Sequence, residues 1–316
     1  MGEAEQAQSR LAPDDAFSAL GNEIRVEILR ELGEAGTALA FSELYDRVAV
    51  DDSAQFNYHL DRLEGHFVGK SDAGYALRRP GRRIVEAILS GAVTDDPTLE
   101  RTPTDELCPG CDSHVEIEWH EGSVEVYCPT CTRRWQQSWG RVDGPEQAPQ
   151  GYQGRLPVPP AGIMDRSPTE IYQTAFTWTS LELMSVASNI CPRCAATVTT
   201  ELNVCETHDA TDGPCSSCGT TYAVRLVAAC TNCIYSAGCA AAWGVVSTTE
   251  LLTFLFEHGL NPVAPGAARR LDAVINEYGE QIHSTDPFRA EFSFSIDGDQ
   301  LTLAVDETLA VVDTVE

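Results

Sequence analysis

The sequence predicts an α+β protein in which a helical N-terminal domain with a short hairpin precedes small β modules bounded by cysteines. Three observations predict it. Apolar residues recur at helical spacing through residues 14 to 90, and every cysteine lies beyond residue 107, mostly in Cys-x-x-Cys pairs that flank alternating stretches. Near the C-terminus a period of two returns around an Asp-Gly turn.

In the first domain, assigned residues 1–92, Phe17, Leu20, Ile24, Ile28, Leu29 and Leu32 form an apolar stripe over two helices, and Gly33 with Gly36 end it. Ser42 is expected to cap a short helix containing Leu44 and Val48. Ser53 is expected to cap the next, in which Phe56, Leu60 and Leu63 recur at i, i+4 and i+7. That phase turns Gln55, Tyr58 and Arg62 outward, flanked by Asn57 and His59, all residue types that hydrogen-bond base edges or phosphates. Phe67 to Lys70, a turn at Ser71 to Gly74, and Tyr75 to Leu77 read as a two-stranded wing, followed at once by Arg78, Arg79, Arg82 and Arg83.

Charge sharpens this reading. The chain of 316 residues carries 48 Asp and Glu against 21 Lys and Arg, a net charge of -27, and Lys70 is its one lysine. Spread in this way, the acidity suits a cytosol rich in potassium salt, where carboxylates hold water and repel one another. Yet from Ser53 to Arg83 six basic residues face three acidic ones. The basic segment therefore coincides with the expected reading helix and wing, which points to double-stranded DNA.

The run Leu20-Gly21-Asn22-Glu23-Ile24-Arg25, the run Gln55-Phe56-Asn57-Tyr58-His59-Leu60 and the wing resemble the ArsR-like winged helix-turn-helix transcription regulators of haloarchaea. The resemblance implies a homodimer with two reading helices in successive major grooves, and contacts to DNA from Ser53, Gln55, Asn57, Tyr58, His59, Arg62, Lys70, Arg78 and Arg79. The helix expected from Gly81 to Ser90, with Ile84, Val85, Ile88 and Leu89, would supply part of the dimer contact. One departure stands out: the family's metal sensors carry cysteines inside the helical domain, whereas residues 1 to 107 here contain none. The order of domains is also similar to archaeal transcription factor E, which implies contact with RNA polymerase and promoter DNA.

A polar linker, Val93 to Glu106, leads to a module assigned residues 107–140. Cys108, Cys111, Cys128 and Cys131 bracket an alternating hairpin through Val115, Ile117 and Trp119, then Val124 and Val126. Folding that hairpin brings both pairs to one end, where four thiolates complete a tetrahedral zinc shell. Such a shell leaves no open position, so its role is to fold a module too small to bury a core.

Residues 141–166, with Pro145, Pro149, Pro157, Pro159 and Pro160, read as an extended connector. In the last region, 167–316, Ser167-Pro168-Thr169-Glu170 opens a helix whose buried side is expected to be Ile171, Ala175, Trp178, Leu181 and Met184. A second cluster follows as four pairs: Cys191 with Cys194, Cys205 with His208, Cys215 with Cys218, and Cys230 with Cys233. If the two intervening stretches are antiparallel strands, the inner pairs meet at one end and the outer pairs at the other, giving two nested zinc sites. A break in either strand would permit an interleaved arrangement.

Cys239 has no partner and is expected to be buried. Helices are expected at Thr248 to Gly259 and Ala267 to Tyr278, then a hairpin of Phe292 to Ile296 with Leu301 to Val305. No phosphate loop, nucleophile triad or His-Glu-x-x-His occurs, so no enzyme is expected. Met1-Gly2-Glu3-Ala4-Glu5 carries no basic cluster and no apolar run follows, so neither export nor membrane insertion is expected, and thiols stay free in the cytoplasm.

Overall fold

A computed structural model describes residues 11–131, 137–139 by backbone, 151–211 and 213–315. The chain divides into two compact units, Met1–Asp95 and Asp96–Glu316.

The first unit is helical, with α1 (Pro13–Leu20), α2 (Glu23–Ala35), α3 (Phe41–Arg47), α4 (Ser53–Leu63), the hairpin β1 (Val68–Ser71) and β2 (Gly74–Leu77), and α5 (Arg79–Leu89). Ile28, Leu29 and Leu32 of α2, Leu44 of α3, and Phe56, Leu60 and Leu63 of α4 close one core. Each such side chain contributes about 1.5–3 kcal/mol by leaving water. The ring of Phe56 meets Phe41 and Tyr45 edge-on at 5.3 and 5.2 Å, which fixes α3 against α4. Leu39 exchanges backbone hydrogen bonds with Tyr75 at 2.9 and 2.8 Å and ties the hairpin to the helices.

Caps fall earlier than spacing suggests, by one residue at α4 and by two at α3. Asp52, not Ser53, accepts the Ala54 amide at 2.8 Å. The third helix starts at Phe41, with Glu43 reaching back to the Ala40 amide at 2.9 Å, and Ser42 lies inside it. Phe17 leaves the expected stripe and stands 76% exposed, because α1 buries no residue fully.

The second unit is built on an eight-stranded sheet in the order β3-β4-β5-β7-β6-β10-β9-β8. Its strands are β3 (Thr102–Leu107), β4 (His114–His120), β5 (Ser123–Tyr127), β6 (Gln137–Trp139), β7 (Tyr152–Pro157), β8 (Val198–Val204), β9 (Val224–Cys230) and β10 (Ser236–Ala240). Neighbours are antiparallel apart from β6 with β7. Helix α6 (Pro168–Ala187) packs against β3 and β7. Then come α7 (Thr249–Glu257), α8 (Ala268–Ile275) and a second sheet, β11 (Gly279–Thr285), β12 (Phe288–Ile296), β13 (Asp299–Asp306) and β14 (Val311–Val315), in sequential order. One core runs from Val115 and Ile117 through Phe176 and Trp243 to Phe292 and Phe294.

This sheet corrects the expected division. The cysteine-bounded hairpin is not a free-standing ribbon, since β5 pairs on its far side with β7, Val124 opposite Leu156 and Val126 opposite Gly154. The supposed connector is therefore sheet from Tyr152, and its prolines from Pro157 onward end a strand; residues 141–150 lie outside the described residues. Part of the supposed linker is likewise β3, which carries Pro103 at the edge of the sheet, where a missing amide is tolerated.

Helix α6 begins as expected, Ser167 and Glu170 capping each other's amides at 3.4 and 2.9 Å. Its buried side is rotated, with Tyr172, Phe176, Leu183 and Val186 inside while Trp178 and Leu181 are 40% and 48% exposed. Apolar residues occur all round this helix, so spacing does not choose a face. The expected C-terminal hairpin is the middle of the second sheet, and Cys239 is buried.

Gly151 supports the junction of β5 with β7. Its φ of 80° lies in the left-handed region, and a Cβ there would sit 2.0 Å from the Cys128 carbonyl. Gly151→Ala should destabilise the protein by about 3 kcal/mol or more, read as a lower midpoint of urea unfolding with retained metal in the second unit's other clusters.

Candidate functional site

Three groups of side chains gather metal-binding atoms. Cys108, Cys111, Cys128 and Cys131 form the first, Cys191, Cys194, Cys230 and Cys233 the second, and Cys205, His208, Cys215 and Cys218 the third, each with all ligand atoms within 4.8 Å of one another. The β8–β9 register, Val198 opposite Cys230 to Val204 opposite Val224, separates the second group from the third by the length of a seven-residue strand. The nested pairing follows from that register.

Sulfur separations in the first two groups are too long for disulfides and suit a shared ion. Cys108 to Cys131 is 3.5 Å, Cys111 to Cys128 3.3 Å, Cys191 to Cys233 3.7 Å and Cys194 to Cys230 3.5 Å. A disulfide needs about 2.05 Å. A tetrahedron of thiolates on bonds of about 2.3 Å has edges of about 3.8 Å.

The turns repeat a common design. In three of them the first cysteine's carbonyl accepts the amide four residues on, at 2.9 Å from Asp112, 2.9 Å from Ala195 and 2.7 Å from Gly219. Those residues hold φ of 55°, 60° and 70°. The cysteine amide in turn donates to the carbonyl five residues on, from Cys108 to Ser113, Cys191 to Ala196, Cys215 to Thr220 and also Cys230 to Tyr235. The chain thus bends back and presents both sulfurs to one point.

Amides aimed at sulfur favour thiolate. The Asp209 amide lies 3.4 Å from Cys215 and the Asn232 amide 3.3 Å from Cys230, and these contacts bring both thiols down to about 6. Burial has the opposite effect on Cys108, pushed up to about 12. In the third group His208 places Nδ1 3.4 Å from Cys218 and donates its Nε2–H to the Thr221 carbonyl at 3.2 Å. That bond fixes the tautomer whose Nδ1 lone pair is free for a metal.

Sequence spacing missed the support around the first group. Gln153 of β7, only 1% exposed, points Nε2 at Cys108 and Cys131, 3.4 and 3.6 Å away. Arg269 of α8 pairs with Asp112 at 2.8 Å and reaches the Leu107 carbonyl at 3.3 Å. No motif marks these residues; they arrive through the wider sheet and the helix beside it.

In the first unit, the face of α4 away from the core holds Ser53, Gln55, Asn57, Tyr58 and Arg62. Tyr58 is 58% exposed, and Asn57 donates to Asp61 at 3.1 Å. Lys70 lies 5.1 Å over the Tyr75 ring, and Arg78 and Arg79 are exposed where the hairpin enters α5. Arg62, Arg78, Arg79 and Arg82 make no ion pair among the described residues.

His59 is a correction. It does not share that face but is buried against the core, 8% exposed, one residue past Tyr58 and therefore turned by about 100°. Burial first and the nearby Arg25 charge second lower its pKa.

Residues 13–88 match a domain of unknown function, DUF7347, and residues 105–311 match another, DUF7351. The second match spans more than half of the chain, which therefore belongs to the DUF7351 family. No curated protein and no solved structure matches it. No helix among the described residues is long and apolar enough to cross a membrane.

Two measurements test these assignments. Native mass spectrometry should find three metal ions per chain, and Cys218→Ser or Cys128→Ser should each remove one. Because the folded pKa of His59 lies below its unfolded value near 6.5, its stability contribution is full above that pH and falls as pH drops through the folded value. The melting temperature of the parent should accordingly fall further between pH 7 and pH 5 than that of His59→Gln.

Proposed function

We propose that the chain is a site-specific DNA-binding transcription regulator whose first unit is a winged helix-turn-helix. Helix α4 reads the major groove with Gln55, Asn57, Tyr58 and Arg62, Ser53 anchors its start on phosphate, and Lys70, Arg78 and Arg79 on and after the hairpin hold the backbone. One observation carries this reading: the polar face of α4 is exposed while unpaired arginines stand at the end of the adjoining hairpin, in a chain of net charge -27. Intramolecular carboxylates abound, so cations left unpaired suit an external anion.

The likeness to ArsR-like regulators of haloarchaea supports the same reading, as does the exposure of Phe17 on α1, which suits a homodimer contact. High salt weakens phosphate binding steeply, so specificity then rests on the α4 side chains.

The metal proposed is zinc. Its tetrahedral preference fits two groups of four cysteines and one of three cysteines with a histidine, and four protein ligands leave no position for substrate. Structural zinc binding contributes about 10–16 kcal/mol in small modules, enough to order the turns it joins. The second unit then serves as an interaction or effector region, in the cytoplasm, without catalytic activity.

Replacing Gln55, Asn57 and Arg62 together by Ala should lower affinity for the chain's own promoter by at least a hundredfold in molar potassium chloride, by fluorescence anisotropy. Arg79→Ala should weaken all duplexes alike and flatten the salt dependence. Undiminished, sequence-selective binding by the triple variant would overturn the assignment of α4. Binding indifferent to sequence, together with co-purifying RNA polymerase, would replace regulator by basal transcription component.

A further inference from the structure

A groove of about 430 Å³ lies in the first unit between the end of α2, the loop after it, β2 and α5. Leu32, Ala38, Leu77, Val85 and Leu89 give it an apolar lining, and Arg82 stands on its wall. Its floor is the contact of α2 with α5, where a Cβ on Gly33 would meet Val85 Cγ1 at 2.6 Å. The Val85 side chain therefore packs directly on the α2 backbone at Gly33 and forms the base of the groove.

The groove continues into a second of about 400 Å³ that shares Leu77, Arg82 and Glu86 with it and adds Arg79 and Arg83. Glu86 is held by Arg83 at 2.7 Å, which leaves Arg79 and Arg82 without a carboxylate among the described residues. An apolar slot thus opens onto a cationic one. Such a volume, with few convergent polar groups, fits a small molecule.

We propose that this groove binds a small amphipathic carboxylate, its apolar tail against Leu32, Leu77 and Val85 and its head on the Arg82 guanidinium. The charge pattern selects this occupant. A neutral apolar molecule leaves Arg82 unused, and a second copy of so acidic a chain would have to bring apolar surface and a lone carboxylate to one narrow slot. The guanidinium fork instead matches a planar carboxylate. The ligand lies beside Arg79, so its charge opposes a phosphate there; this regulatory consequence rests on the nucleic-acid reading above, and binding itself does not.

Isothermal titration of the full chain with decanoate, decanol and acetate tests the site. Decanoate should bind one per chain at least tenfold more tightly than either control. Ala38→Leu, which fills the slot, and Arg82→Gln, which removes the head contact, should each cost at least tenfold. Saturating decanoate should weaken promoter binding by the parent several-fold and leave that of Ala38→Leu unchanged. Equal decanoate affinity in parent and Ala38→Leu, or equal affinity for decanol and decanoate, would overturn the proposal. So would a change in sedimentation on Ala38→Leu with no decanoate binding by the parent, which assigns the groove to self-association. Decanoate binding without any DNA binding removes the regulator reading and keeps the groove; DNA binding without decanoate binding removes the groove alone.

Discussion

Strands β8 and β9 pair in a single register, and that register decides which cysteines meet. Val198 opposite Cys230 puts the turns of Cys191 and Cys230 at one end, and Val204 opposite Val224 puts Cys205 beside Cys215 at the other. A slip of β8 by one residue would turn its inward side chains Val198, Leu202 and Val204 away from the core and move the ligands apart. Hydrophobic pattern and metal geometry thus specify the same alignment. Each supports the other, so the strands need little length to be unambiguous.

The same logic explains why the second unit is continuous. A four-thiolate hairpin alone buries almost nothing, and β5 here is buried along its whole length because β7 covers its outer edge. Core residues then pass from Ile117 and Val126 through α6 to Trp243 and the second sheet. The third metal group joins this body as well. Beside it, Tyr222 donates to the Asn276 carbonyl at 2.6 Å, and Glu280 takes the Ala223 amide at 2.7 Å. Tyr222 stacks on Tyr278 at 4.1 Å between centroids, so the turn that carries Cys215 and Cys218 leans on the C-terminal sheet.

What the sequence disclosed was local. Cys-x-x-Cys spacing, the alternation of β4 and β5 and the Ser167–Glu170 cap are settled by neighbours in the chain, whereas the choice between nested and interleaved pairing in the second cluster rests on the β8–β9 register. The i, i+4, i+7 spacing of Phe56, Leu60 and Leu63 placed the core face of α4, yet His59 beside it went inward because a helix gives each residue a 100° step and a wide apolar stripe takes in its margins. What lay hidden was long-range. Nothing near Tyr152 announces a strand partner 25 residues earlier, and nothing near Gln153 announces sulfur. β11 and β14 were missed for a related reason: their half-exposed residues show little contrast, and only pairing with β12 and β13 makes strands of them.

Gln153 reaches Cys108 from 45 positions further along the chain. During synthesis Cys131 completes the set of four cysteines before Gln153, whose amide dresses two of their sulfurs, has emerged. An ion captured early would be held by bare thiolates, more open to exchange or theft by a competing chelator, until β7 docks and seals it. A ribosome pausing before Gln153 would leave that cover unfinished.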